Sequence, residues 1–237
     1  MRIWTFKLVL ACVAAMVAAG ATTAARPAEP AAWTTHDDAA LRELLEGTRG
    51  QRQTWETAPE LVILESVMHF DGPDMTRAAA ATAEALSPAE TARLEADLTR
   101  ALQELTGGRF AGFSGVRVHA LPAGQRATLF QRGRIVVGRF EGVHEQAGTL
   151  GYGGRTTRGG AITAGAVMLD RDFDRDSSRR HVLRMHELGH ALGYNHVESR
   201  PSLMNPRVGS ELTTFDRTAI EMAHGPTHLP VLVVGPR

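Results

Sequence analysis

The segment His186-Glu187-Leu188-Gly189-His190-Ala191-Leu192-Gly193-Tyr194-Asn195-His196 holds three of the chain's ten histidines, with a glutamate beside the first. Val182, Leu183, Leu188 and Leu192 are apolar at helical spacing, and Asp176-Ser177-Ser178 offers side-chain caps upstream, so the pattern predicts a helix ending at Gly193. On that helix His186 and His190 lie about 40° apart around the axis and about 6 Å apart along it, so their ring nitrogens can converge on one cation. His196 cannot join them on a continued helix, where it would sit about 15 Å from His186 along the axis and about 80° off the face. A histidine binds zinc at about 2.0–2.1 Å. The helix must therefore stop between the second and third ligands, and Gly193 stands where a left-handed cap would turn Tyr194-Asn195-His196 back beneath the first two.

Three neutral imidazoles leave one position of a tetrahedral zinc open for water, the arrangement of a catalytic rather than a structural site. Glu187, about 100° round the helix from His186, can face that position. Its role would be general base, taking a proton as water attacks a carbonyl, and then proton donor to the leaving amine. A lone histidine on an apolar helix is ordinarily a core residue. Here five specified positions coincide at the end of a well-formed helix, which favours the metal reading.

The elements that must position these residues are a mixture of helices and strands. Leu61 to Val67 and Ile135 to Phe140 read as buried strands, Val116 to Ala120 as an alternating one, and Ala161 to Leu169 as a strand ending at Asp170. Ser87-Pro88-Ala89-Glu90 has a serine cap, a proline at the first helical position and a glutamate three residues after the cap; it predicts a helix to Thr106 with Leu94, Leu98, Ala101, Leu102 and Leu105 on one face. A short helix is expected from Asp37 or Asp38 to Glu46. The alanine-rich stretch 77–86 has no decided state. The glycine-rich span 148–160 lacks a phosphate-loop lysine and reads as a mobile or substrate-facing loop.

Basic and acidic residues number 26 each and the pI is about 7.2, so nothing in the charge predicts nucleic acid as a partner. Met1-Arg2, the apolar run Leu8 to Ala21 and the small residues up to Ala25 have the shape of a secretory signal peptide. The run is short of the roughly 20 residues of a membrane span, so no stable membrane insertion is expected. Val9-Leu10-Ala11-Cys12 faintly resembles a lipoprotein box, but Lys7 leaves too short an apolar run before it. Cys12 is the only cysteine, so the mature chain would have no disulfide and no thiolate ligand. The expected organisation is a signal peptide at 1–25, an N-terminal extension or short pro-segment at 26–60, and one domain at 61–237. The protein would be secreted or periplasmic.

The motif resembles that of the metzincin zinc metallopeptidases, H-E-x-x-H-x-x-G-x-x-H, matched by His186, Glu187, His190, Gly193 and His196. Ser202-Leu203-Met204-Asn205-Pro206 resembles the family's Met-turn, which implies that Met204 packs as a hydrophobic floor below the metal. Three details resemble the matrixin branch: the short span from His196 to Met204, Pro206 where other branches place a tyrosine, and Leu212 to Asp216 as the start of a C-terminal helix. Leu150-Gly151-Tyr152-Gly153 is similar to the edge strand on which matrixins align substrate backbone.

The resemblance implies an α+β, zincin-like catalytic domain: a twisted mixed sheet with long helices and a small C-terminal subdomain. It implies a zinc-dependent endopeptidase with one catalytic Zn2+, Glu187 as its catalytic residue and a protein or peptide as its substrate. Met168 and Ala166 replace the ligands of a second zinc, so none is expected. Asp170, Asp172, Asp174 and Asp176 alternate as calcium ligands can, although a helix-capping loop is the preferred reading and Ca2+ is not expected. Two other functions fit the same residues, a zinc amidase acting on a non-protein or cell-wall linkage and a noncatalytic zinc-containing binding protein; Glu187 counts against the second.

Overall fold

The computed structural model describes residues 35–47, 50–69, 80–142, 148–207 and 211–225. All belong to one compact unit, Thr34–Arg237. The expected signal peptide, Cys12 and the chain after Gly225 lie outside the described residues.

The early helix is α1, Thr35–Leu45. It is followed by strand β1, Glu60–His69, and by β2, Ala80–Ala83, inside the alanine-rich stretch. Helix α2, Pro88–Leu105, begins at the expected capping box: the Glu90 N–H donates to Ser87 Oγ at 3.2 Å and the Ser87 N–H to Glu90 Oε2 at 2.9 Å. Its buried residues are the five of the apolar face. Strands β3, Val116–His119, β4, Arg134–Phe140, β5, Gly151–Arg158, and β6, Ala161–Asp170, follow. A short helix α3, Arg171–Asp176, leads to α4, Arg180–Leu192, and α5, Thr214–His224, comes last.

The six strands form one mixed sheet in the order β2-β1-β4-β6-β5, with β3 also on β1. β3, β1, β4 and β6 run parallel, while β2 and β5 are antiparallel to their neighbours. An α+β fold on a mixed sheet is therefore present. β1, β4 and β6 are buried on both faces, which explains their continuous apolar runs. Leu61, Ile63, Ile135, Val137, Val167 and Leu169 point to the side where α1, α2, α4 and α5 pack; Val62, Leu64, Val136, Ala166 and Met168 lie in a second cluster with Leu121, Ala127 and Leu129. Ala40, Leu41, Leu44, Leu45 and Trp55 belong to the helix-side cluster, so α1 and Trp55 share the main core.

Three expectations change. The span 148–160 is largely strand: its glycines allow β5 to pass close to α4, and Gly159-Gly160, both at positive φ, form the two-residue turn of the β5–β6 hairpin. β3 alternates in sequence, but all four of its residues are exposed because it lies on the sheet edge beside the first half of β1. The start of α4 has Arg179 as its cap residue and no side-chain cap, with Ser177 Oγ accepting only from the Arg179 N–H. Of the alternating aspartates, Asp170 caps α3 through the Phe173 N–H. Asp174 is fully buried between Arg139 and Arg184 at 2.9 and 2.7 Å, and Asp172 pairs with Arg171.

Candidate metal centre

Helix α4 ends as its sequence requires. Gly193 adopts φ 118°, where a β-carbon would be strained, and the Tyr194 N–H donates to Gly189 O at 3.0 Å in a Schellman-type closure. The Tyr194 ring is buried in the core and its hydroxyl donates to Leu105 O at 2.6 Å, so α2 anchors the turn. The chain then reverses and brings His196 to the first two histidines.

The three Nε2 atoms face one another. His190 and His196 approach to 3.0 Å, and His196 and His186 to 3.3 Å. The Nδ1–H groups of His186 and His190 are occupied, donating to Leu203 O at 2.7 Å and Tyr194 O at 2.9 Å. In a neutral imidazole this leaves the Nε2 lone pair free. Burial keeps these rings neutral, pulling His186 down to about 4 and His190 to about 3, and His196 is lowered for the same reason. Uncharged lone pairs aimed at one another at such distances call for a cation. A tetrahedral ion with bonds of about 2.0–2.1 Å separates its ligand nitrogens by about 3.3–3.4 Å, so the spacing is compatible with zinc. The triad can hold a metal ion.

Residues 202–204 and α5 support the first histidine. Asp216, buried in the first turn of α5, accepts from Ser202 Oγ at 2.5 Å and from the Leu203 N–H at 2.9 Å, and Leu203 O in turn fixes the His186 ring. Such partners set the tautomer and aim of a ligand histidine. Met204 is buried under α4, its sulfur 2.7 Å from where a β-carbon on Gly189 would stand. The glycine inside the motif thus makes room for the methionine.

Glu187 is buried beside the triad. Loss of solvation raises its carboxyl pKa to about 8, and the Gly153 N–H holds it back in part. Leu150 O accepts from the Asp170 N–H at 2.8 Å. By antiparallel alternation the backbone groups of Gly151 and Gly153 then point away from β6. A β-carbon on Gly151 would come within 2.7 Å of the Glu187 side chain, and one on Gly153 within 2.6 Å of His190 Cβ. Bare backbone is required there.

His186, Glu187, His190, His196, Leu150 and Gly151 line one cavity of about 550 Å3. Gly193 and Met204 stand behind it as supports. Beside Pro206, three contributors are new: Arg207, Arg155 and Asn195. Pro206 and Arg207 line the cavity; Arg155 on β5 donates to His190 O at 3.0 Å and, with Asn195, ties the turn after α4 to the sheet. Arg155 stands in a strand of glycines and threonines and Asn195 adjoins His196, yet neither position has a periodicity that marks it.

No protein-family model matches the chain, and no curated protein matches it. Among the described residues, no helix is long and apolar enough to cross a membrane.

Proposed function

We propose that the protein is a zinc-dependent endopeptidase of metzincin type, matrixin-like in its motif, that works outside the cytoplasm. The observation that carries this reading is a buried carboxyl facing the same cavity as three converging, uncharged imidazole nitrogens. A zinc ion held by His186, His190 and His196 would supply the Lewis acidity that polarises a scissile carbonyl and acidifies water.

The chain's own groups account for the rest. Beside a bound cation the Glu187 carboxyl would be ionised, so that it could take a proton from the attacking water and pass it to the leaving amine. The Gly153 N–H orients that carboxyl from one side. The outward backbone of Gly151 can pair with an extended peptide by strand addition, which favours a polypeptide over a compact amide. The α4 closure, Leu203 O and Tyr194 O hold the histidines so that little reorganisation is needed.

The test is fragment mass spectrometry of an unstructured protein incubated with the zinc-loaded chain and, in parallel, with Glu187→Ala. Cleavage by the wild type alone is the expected result. If both are silent while each holds one zinc, the peptidase reading fails; a cell-wall amide substrate or a binding role then replaces it, and hydrolysis of cell-wall fragments separates the two.

A further inference from the structure

The loop that carries the third histidine is held from outside the motif. Asn195, the residue before His196, gives its backbone N–H to Leu44 O at 2.9 Å and its side-chain amide to Glu46 O at 2.7 Å and Glu43 O at 3.3 Å. Those carbonyls belong to the last turn and exit of α1, where a helix leaves its C=O groups without intrahelical partners. Asn195 therefore caps α1 from a distance of 149 to 152 residues in sequence. On the other side of His196, the Glu43 carboxylate accepts from the Glu198 N–H at 3.3 Å and from Ser199 Oγ at 3.4 Å.

The connection between α1 and β1 closes the same clamp. Arg155 reaches Asn195 Oδ1 at 2.7 Å and Gln53 Oε1 at 2.5 Å. Trp55 Nε1 donates to Ala191 O at 2.9 Å, satisfying a carbonyl at the end of α4. Gly193 lies against Gln53 O so closely that no β-carbon would fit. Ala191, Gly193, Asn195, Glu198 and Ser199 thus each meet α1 or the connection that follows it, and His190 and Tyr194 meet Arg155, which Gln53 holds.

We propose that the end of α1, Glu43–Gly47, and the stretch Gly50–Trp55 are a positioning element of the metal centre, fixing His196 through Asn195, so that the complete three-histidine site exists only while they are docked. Its consequence is regulatory: a cut between α1 and β1 would turn the site off, whereas removal of a pro-segment ordinarily turns a site on. The proposal rests on the triad binding a metal and not on the peptidase reading.

The experiment measures zinc affinity, by competition with a chromophoric chelator, and the melting temperature of the metal-free protein. The full chain is compared with Asn195→Ala and with Leu98→Ala, a cavity variant in α2 that destabilises the core and removes none of the hydrogen bonds that hold the loop. Asn195→Ala is expected to weaken zinc by 10- to 100-fold, the range typical of lost outer partners. Leu98→Ala, with an equal or greater fall in melting temperature, should keep zinc affinity within about twofold because the ligands' partners are intact. Cobalt(II) spectra should report an altered ligand set only for Asn195→Ala.

Wild-type affinity in Asn195→Ala, or losses in both variants that scale with melting temperature, would overturn the proposal. Should Asn195→Ala not fold, Glu43→Ala decides: about a threefold loss is expected from partial release of the loop, and no loss overturns it. A wild-type chain that binds no zinc removes the metal reading and this proposal together.

Discussion

Replacing Glu187 by glutamine in the metal-free protein should stabilise it, and by an amount that depends on pH in a defined way. The carboxyl titrates near 4.5 when solvated and is raised to about 8 by burial in the fold. Between those values the folded chain holds a proton that the unfolded chain has released, so raising the pH draws the equilibrium toward unfolding. The loss is absent below about pH 4.5 and complete above about pH 8. At about 1.4 kcal/mol per pH unit the full interval amounts to roughly 5 kcal/mol, an upper bound because water drawn in beside the ionised carboxylate reduces it. Glutamine carries no such penalty and still offers Gly153 a carbonyl. Urea unfolding of both proteins in the presence of a chelator, from pH 5 to pH 9, should show the stability gap widening to pH 8 and then levelling. A gap independent of pH would refute the raised pKa of the buried carboxyl.

Gly153→Ala should lower activity at least 10-fold and destabilise the fold by about 1–3 kcal/mol, since its methyl would enter the space of His190 Cβ and push β5 from α4; peptide hydrolysis and thermal melts check it. Asp174→Ala takes from buried Arg139 its ion-pair partner and leaves Arg184 with Asp97, and should cost about 3–5 kcal/mol in urea unfolding. Zinc release on acidification should have its midpoint below the ordinary histidine value: in the metal-free fold burial lowers His186 to about 4, His190 to about 3 and His196 in the same direction, so protons compete for these nitrogens later than for a solvated imidazole. Release with a midpoint near the ordinary histidine value of 6.5 would contradict that ordering.

The parts legible in the sequence are those in which the physical cause is local. The Ser87 capping box, the stripe from Leu94 to Leu105 and the helix stop at Gly193 each depend on residues within a few positions of one another, and the structure shows all three. The histidine cluster belongs to the same class because its ligands lie within eleven residues of each other. The clamp of α1 on Asn195 joins carbonyls and an amide about 150 positions apart, and no periodicity encodes such a pairing. The cap of α4 failed for a related reason: Asp176, Ser177 and Ser178 all suit a helix start, but α3 intervenes and hands the first turn to Arg179.

The glycines of β5 show how a correct local rule yields a wrong element. Glycine disfavours strands when the alternative is a side chain that packs. At Gly151 and Gly153 the surface to be packed is α4 itself, with Glu187 and His190 already filling the space a β-carbon would occupy. The strand forms because its backbone, bare on that side, brings an N–H to a carboxyl that would otherwise be buried without a donor. Burying Glu187 works against stability, and so does a strand of glycines, yet each makes the other tolerable. Two local penalties that meet at one cavity, and relieve one another there, mark the place where the proposed chemistry would outweigh stability.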